Sequence, residues 1–150
     1  MASNNPSRRR FFEHGIQLSK WTPRAGVVLV TAKELASPTG RITAGHILLA
    51  LECGDHQVSR VLRLLAISPS AALGRPAPSS WSHEMDLYCE DFDSSLKDLS
   101  RLVIEEAKAM GDNYLGIEHL LLVLARVGVP GVDLPYDRIK QTWYKVMGRS

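Results

Sequence analysis

At 150 residues, with 45% apolar residues and a formal charge of +2, the chain is long enough to pack one core and has no global pull toward nucleic acid or membranes. No stretch approaches the roughly eighteen consecutive apolar residues of a transmembrane helix, and the first residues carry no apolar run behind their arginines, which argues against a secretory signal. Cys53 and Cys89 form no CxxC pair; such isolated cysteines suit a reducing compartment, so a cytoplasmic protein is expected.

Residues 1–20 read as an N-terminal tail, partly disordered, carrying Arg8-Arg9-Arg10 ahead of Phe11-Phe12. Three charges with no second basic cluster make a poor nucleic-acid anchor, so neither nucleic acid nor a membrane is the expected partner; the nucleic-acid reading stays as a rival tied to that run. Helical signals begin at Thr22, a good N-cap followed by Pro23 at the first helical position, with Val27, Val28, Val30 and Leu35 continuing the pattern. Ser37-Pro38-Thr39-Gly40 breaks it. A second helix then opens at Ala44-Gly45-His46 and runs through Ile47-Leu48-Leu49-Ala50-Leu51, apolar on nearly every side and therefore predicted to be central. Residues 55–65 predict a third helix with Val58, Val61, Leu62 and Leu65 on one face, and residues 70–73 one short turn of a fourth. Pro76, Pro78 and Ser79-Ser80, followed by an acidic stretch, mark a linker over 75–91.

The pattern then returns. Asp93 is a second cap, Leu96, Leu99, Leu102, Val103, Ala107 and Met110 keep helical spacing, and Gly111-Asp112-Asn113 breaks the helix. Ile117-Glu118-His119-Leu120-Leu121-Leu122-Val123-Leu124 repeats the earlier apolar run with His119 in register with His46, and Phe92 holds the place of Trp21 just before each cap. Residues 136–147, ended by Gly148, predict a closing helix with Ile139, Trp143 and Val146 inward. Residues 126–133 are too short for a third helix like that of the first copy. The expected fold is therefore all-α, a pseudo-twofold duplication of one helical repeat, over residues 21–74 and a shortened 92–150.

The chemical motifs are few. No phosphate-binding Gly-Lys loop, G-x-S-x-G, H-E-x-x-H or paired CxxC occurs, so no catalytic residue, cofactor or metal is expected. Cys53 and His56 supply only two of the donors a metal needs. A small enzyme using Glu118 and His119 is the rival reading, but adjacent helical residues point about 100° apart and no nucleophile completes the set. His46 and His119, with Leu48, Leu49, Leu121 and Leu122, read as structural core. Glu118, in the first turn of a helix, either stabilises the helix dipole or meets a cationic partner group.

Thr22-Pro23-Arg24-Ala25 with the Ala44–Leu51 run, and Ile104-Glu105-Glu106-Ala107 with Tyr114-Leu115-Gly116-Ile117-Glu118-His119-Leu120-Leu121-Leu122, resemble the two repeats of the N-terminal domain of Clp-type unfoldases, here without an ATPase module. The resemblance covers about residues 21–74 and 92–148. It implies a non-catalytic domain whose partners are proteins or peptides: Clp components, adaptors or substrates on the way to unfolding and proteolysis. It places the binding surface at the starts of the two central helices, at Thr43, Ala44 and Gly45 and at Leu115, Gly116, Ile117 and Glu118, read as exposed. Some members of the family also bind phosphorylated arginine or cyclic peptides. Gly45 stands where the family pattern has an acidic residue, so phosphoarginine is confined to the second repeat, where Glu118 keeps it.

Overall fold

In the computed structural model, residues 10–12, 21–37, 40–82 and 86–149 are described, and they are all-helical: α1 (Pro23–Ala36), α2 (Ala44–Glu52), α3 (Gln57–Leu64), α4 (Pro69–Leu73), α5 (Leu99–Ala109), α6 (Ile117–Val127) and α7 (Tyr136–Val146). Two short 3₁₀ turns and four isolated bridges complete the regular structure among these residues. Thr22 caps α1, its Oγ1 accepting from the Ala25 N–H at 3.1 Å, and Pro23 opens the first turn, where its missing N–H costs nothing. The centre is α2 against α6; α1 lies on α2, and α5 on α6. Residues 117–124 of α6 are all buried, as expected of a helix apolar on nearly every side.

The duplication is visible in the hydrogen bonds. With His46 set against His119, Ile42 matches Leu115; with the caps Thr22 and Asp93 set together, Trp21 matches Phe92. Trp21 pairs in parallel with Leu115, and Phe92 with Ile42. The Thr22 N–H donates to the Leu115 carbonyl at 2.9 Å, and the Asp93 N–H to the Ile42 carbonyl at 2.8 Å. Each repeat thus opens its first helix on the other repeat's inter-helix turn, which defines a pseudo-twofold relation.

Two expectations are corrected. The helix predicted from Asp93 is broken: Asp93 caps a 3₁₀ turn, Ser94–Leu96, and α5 begins only at Leu99. Asp98, at φ −99° and ψ 13°, sits in the sparsely populated bridge region between them. The second repeat, moreover, does not lack its third helix. α7 packs on α6 and pairs with α3, as α3 packs on α2, so α7 is the counterpart of α3. What has no counterpart is α4. The connection to α7 is longer, over residues 128–135, and contains a reverse turn, Val129-Pro130-Gly131-Val132, closed by Val132 N–H to the Val129 carbonyl at 3.0 Å. That turn lies beside α4: a Cβ at Gly131 would stand 4.0 Å from the Ala72 carbonyl.

The link between the repeats is held down. The Trp81 indole N–H donates to the Ala50 carbonyl at 2.9 Å, the Ser82 N–H to Thr31 Oγ1 at 2.9 Å, and the Arg75 guanidinium to the Leu35 carbonyl. Most of the predicted tail, residues 1–9 and 13–20, lies outside the described residues, but Phe11 joins the core at 6% exposure. Glu106 of α5, 2% exposed, ties three helices together. It accepts from the Tyr136 hydroxyl and lies 3.5 Å from Arg126 of α6 and 3.7 Å from Lys140 of α7.

Three helices end in the same Schellman turn, in which the third residue past the helix bonds back to its last full turn. Gly111 and Gly148 occupy the left-handed position after α5 and α7, at φ 76° and 69°; after α3 the position is Ala66, at φ 57°. A Cβ costs about 1–2 kcal/mol there, and glycine returns about 0.4–1 kcal/mol of that through the freer unfolded chain. Ala66→Gly is therefore expected to raise stability by about 0.5–1 kcal/mol, read as a higher urea midpoint at unchanged m value.

Candidate functional site

The two matched histidines make the same bond. The Thr43 N–H donates to His46 Nδ1 at 3.0 Å and the Gly116 N–H to His119 Nδ1 at 2.9 Å. A backbone N–H can only donate, so Nδ1 is the acceptor in each ring and the neutral form carries its proton on Nε2. Each histidine closes one side of a capping box at the start of its central helix. Beyond that the repeats diverge.

At the second repeat the helix start is closed. His119 is fully buried and its Nε2 lies 2.8 Å from Asp112 Oδ2; Asp112 Oδ1 lies 3.6 Å from Arg149, which also donates to the Met110 carbonyl. Glu118, 7% exposed, accepts from the Tyr114 hydroxyl at 2.7 Å. Burial, then the bond to Glu118, pushes the Tyr114 phenol well above its ordinary value, so Tyr114 is the donor and Glu118 the acceptor. The Glu118 carboxylate folds back over the helix start: a Cβ at position 116 would stand 2.5 Å from its Oε1, so any larger residue there has to displace the carboxylate. Leu115 and Ile117 are 3% and 5% exposed. The expectation that Leu115, Gly116, Ile117 and Glu118 form an exposed surface is therefore corrected. Leu115 is taken up by its pairing with Trp21, and the Glu118 carboxylate by Tyr114.

The donor atoms of Asp112, Glu118 and His119 lie within 4.8 Å of one another, an arrangement that resembles a metal site. The ring's own bonding opposes it: Nε2 carries the proton given to Asp112, so it has no lone pair for a metal or for base catalysis.

At the first repeat the helix start is open. Thr43 Oγ1 accepts from the His46 N–H at 3.4 Å, and His46 is half-buried rather than in the core as expected; among the described residues none bonds its ring as Asp112 bonds that of His119. Burial, then Arg75, lowers its pKa. Ala44 is buried, whereas Thr43 and Gly45 are half-buried and line a groove of about 510 Å³ with Leu73, Leu96, Val127 and Pro130. The far wall comes from Val127 at the end of α6 and from the connection after it, a stretch the sequence analysis read only as too short for a helix. Leu48, Leu49, Leu121 and Leu122 are buried.

No protein-family model matches the chain. No curated protein matches it either. Among solved structures, the N-terminal domain of the caseinolytic protease associated chaperone ClpD from Arabidopsis thaliana is similar, with a TM-score of 0.45 and 16% identity over 88% of this chain and 89% of that one.

Cys53 and His56 do not come together as metal ligands. His56 caps α3, its Nδ1 accepting from the Ser59 N–H at 3.2 Å, while its Nε2 reaches the Cys53 carbonyl at 3.0 Å rather than the sulfur. Burial, then Arg24 and Arg63, lowers its pKa against the opposing pull of the Cys53 carbonyl. Both His46 and His56 thus hold fewer protons folded than unfolded below the reference value of 6.5. Their stabilisation is complete above about pH 6.5 and is lost as the pH falls toward their lowered native values, at up to about 1.4 kcal/mol per pH unit for each. Urea titrations at pH 7.5 and 5.0 should show that loss, and His46→Gln with His56→Asn should flatten it. Among the described residues no helix is long and apolar enough to cross a membrane.

Proposed function

We propose that the chain is a non-catalytic protein-binding domain of the Clp N-domain kind, which takes polypeptide segments, adaptors or Clp components at the groove beside Thr43, Ala44 and Gly45 and serves Clp-dependent unfolding and proteolysis. The observation that carries this reading is the exchanged pairing, Thr22 to Leu115 and Asp93 to Ile42, in the register of the duplicated sequence motif. It supports the two-repeat resemblance independently of any single residue. The open first helix start adds a mostly apolar groove with Asp93 among its walls, a shape suited to an extended chain rather than a compact metabolite. Phosphoarginine has little support: Gly45 offers no carboxylate, and Glu118 would have to give up Tyr114 and its burial to meet a guanidinium.

Gly45 offers a clean probe, since a Cβ there would stand 3.6 Å from Leu73, an ordinary contact. Gly45→Arg is expected to leave the melting temperature within about 2 °C and to weaken binding of an unfolded polypeptide or a purified Clp subunit at least tenfold, measured by interferometry on the immobilised domain. Equal binding by the variant would remove the groove from the proposal. Failure of the wild type to bind either class would remove the proposal itself.

A further inference from the structure

Asp93 is the one charged side chain among the described residues that line the groove beside Thr43, Ala44 and Gly45. The other walls are mostly apolar, and their two hydroxyls are already engaged, Thr43 with His46 and Ser95 with Asp93 itself. Three bonds fix where the Asp93 carboxylate sits. The Asp93 N–H is held by the Ile42 carbonyl, and Oδ2 accepts twice from Ser95, from its N–H at 3.0 Å and from its hydroxyl at 2.6 Å. Those two donors take up the lone pairs of Oδ2. Oδ1 accepts no hydrogen bond from any described residue. The bonds from Ser95, with a smaller pull from Arg41, hold the carboxyl below its ordinary range and keep it ionised. Arg41 makes no ion pair with it among the described residues.

A fixed carboxylate with one oxygen spent and one free, set among apolar walls, suits a cation that binds at a single point. A guanidinium grips a carboxylate best as a fork through both oxygens, and here it would have to displace Ser95. An ammonium is a compact point charge on a flexible apolar stem, so its methylenes can lie along Leu73, Leu96 and Val127 while its head meets Oδ1. We propose that the groove selects extended segments in which a lysine lies among apolar residues, with Asp93 Oδ1 as the acceptor of its ammonium. This rests on the reading of the groove as a polypeptide site and adds to it the class of sequence taken. Asp93 is partly open to solvent, so its pairing is worth about fivefold in affinity at low salt and less as the salt rises.

The test uses the full-length chain and fluorescein-labelled peptides of one sequence, Ser-Val-Leu-Xaa-Val-Leu-Ser, with lysine, Nε-acetyl-lysine or arginine at the centre, followed by anisotropy. The lysine peptide is expected to bind about fivefold more tightly than the acetylated one, and the arginine peptide no more tightly than the lysine one. Asp93→Asn keeps a side-chain oxygen for Ser95 but carries no charge, and should not distinguish lysine from acetyl-lysine. Gly45→Arg should weaken all the peptides. Equal wild-type binding of lysine and acetyl-lysine, with Gly45→Arg still weakening both, overturns the lysine preference and leaves the groove reading standing. A preference that survives in Asp93→Asn overturns it too, as does an arginine peptide bound tenfold more tightly than the lysine one. Binding of none of the peptides, or binding that Gly45→Arg leaves untouched, removes the groove reading and this proposal with it.

Discussion

His119→Ala is expected to destabilise the domain by about 3–4 kcal/mol, whereas the matched change His46→Ala costs about 1 kcal/mol. The two histidines make the same bond to the backbone, so the difference comes from what surrounds them. Removing His119 strands the Gly116 N–H inside the protein, worth about 1–3 kcal/mol. It also deprives Asp112 of its nearest partner, leaving Arg149 at 3.6 Å, and opens a cavity in a fully buried position. His46 is half-buried, so water can replace its acceptor, and Thr43 keeps its own contact with the helix start. In a domain of this size the gap of about 2–3 kcal/mol corresponds to roughly 8 °C in melting temperature. Matched urea curves for the two variants would measure it, and equal losses would show that burial does not set the weight of the shared bond.

Glu106→Ala is the second large loss, expected at about 2–3 kcal/mol. The carboxylate is 2% exposed and meets groups from two other helices, so its removal leaves the Tyr136 hydroxyl proton without its acceptor and Lys140 without its counter-charge, while Arg126 keeps only the more distant Glu105. The loss stays below that of a fully enclosed pair because Arg126 and Lys140 are 39% and 24% exposed and can turn to solvent. Lys140→Ala should cost only about 1 kcal/mol, since Arg126 and Tyr136 still serve the carboxylate. The order of the two variants in thermal unfolding is the measurement: a Lys140→Ala loss as large as that of Glu106→Ala would mean that the ammonium, not the carboxylate, organises the network.

The parts of the fold that could be read from the chain were those with local physical signatures. Thr22-Pro23 announced α1 because capping chemistry is local, and the apolar run around His119 announced a central helix because no face of it is polar. The helix start at residues 115–118 was misread for the same reason: its pattern matches the first repeat, but its exposure depends on Gly116, Tyr114 and Glu118 acting together. A glycine at the cap is what lets the carboxylate fold back, and nothing in helical periodicity reports that. α7 was misassigned because the longer 128–135 connection delays it; only its packing on α3 reveals the match. Phe11 left no periodic trace at all, since its burial depends on Leu87 and Phe92, far along the chain.

The exchanged opening pairs have a bearing on how such a chain arises and assembles. A single repeat, taken alone, would leave the main-chain groups of its opening residue and of its inter-helix turn without partners. Two identical copies would satisfy both at once, with residue i of one copy meeting residue j of the other and the reverse, which is the bonding scheme of an isologous twofold dimer. The chain therefore has the form of a dimer interface written on one polypeptide. Residues 1–82 and 83–150, produced as separate polypeptides, should accordingly be poorly ordered apart and recover helical structure on mixing, with a stability that depends on concentration.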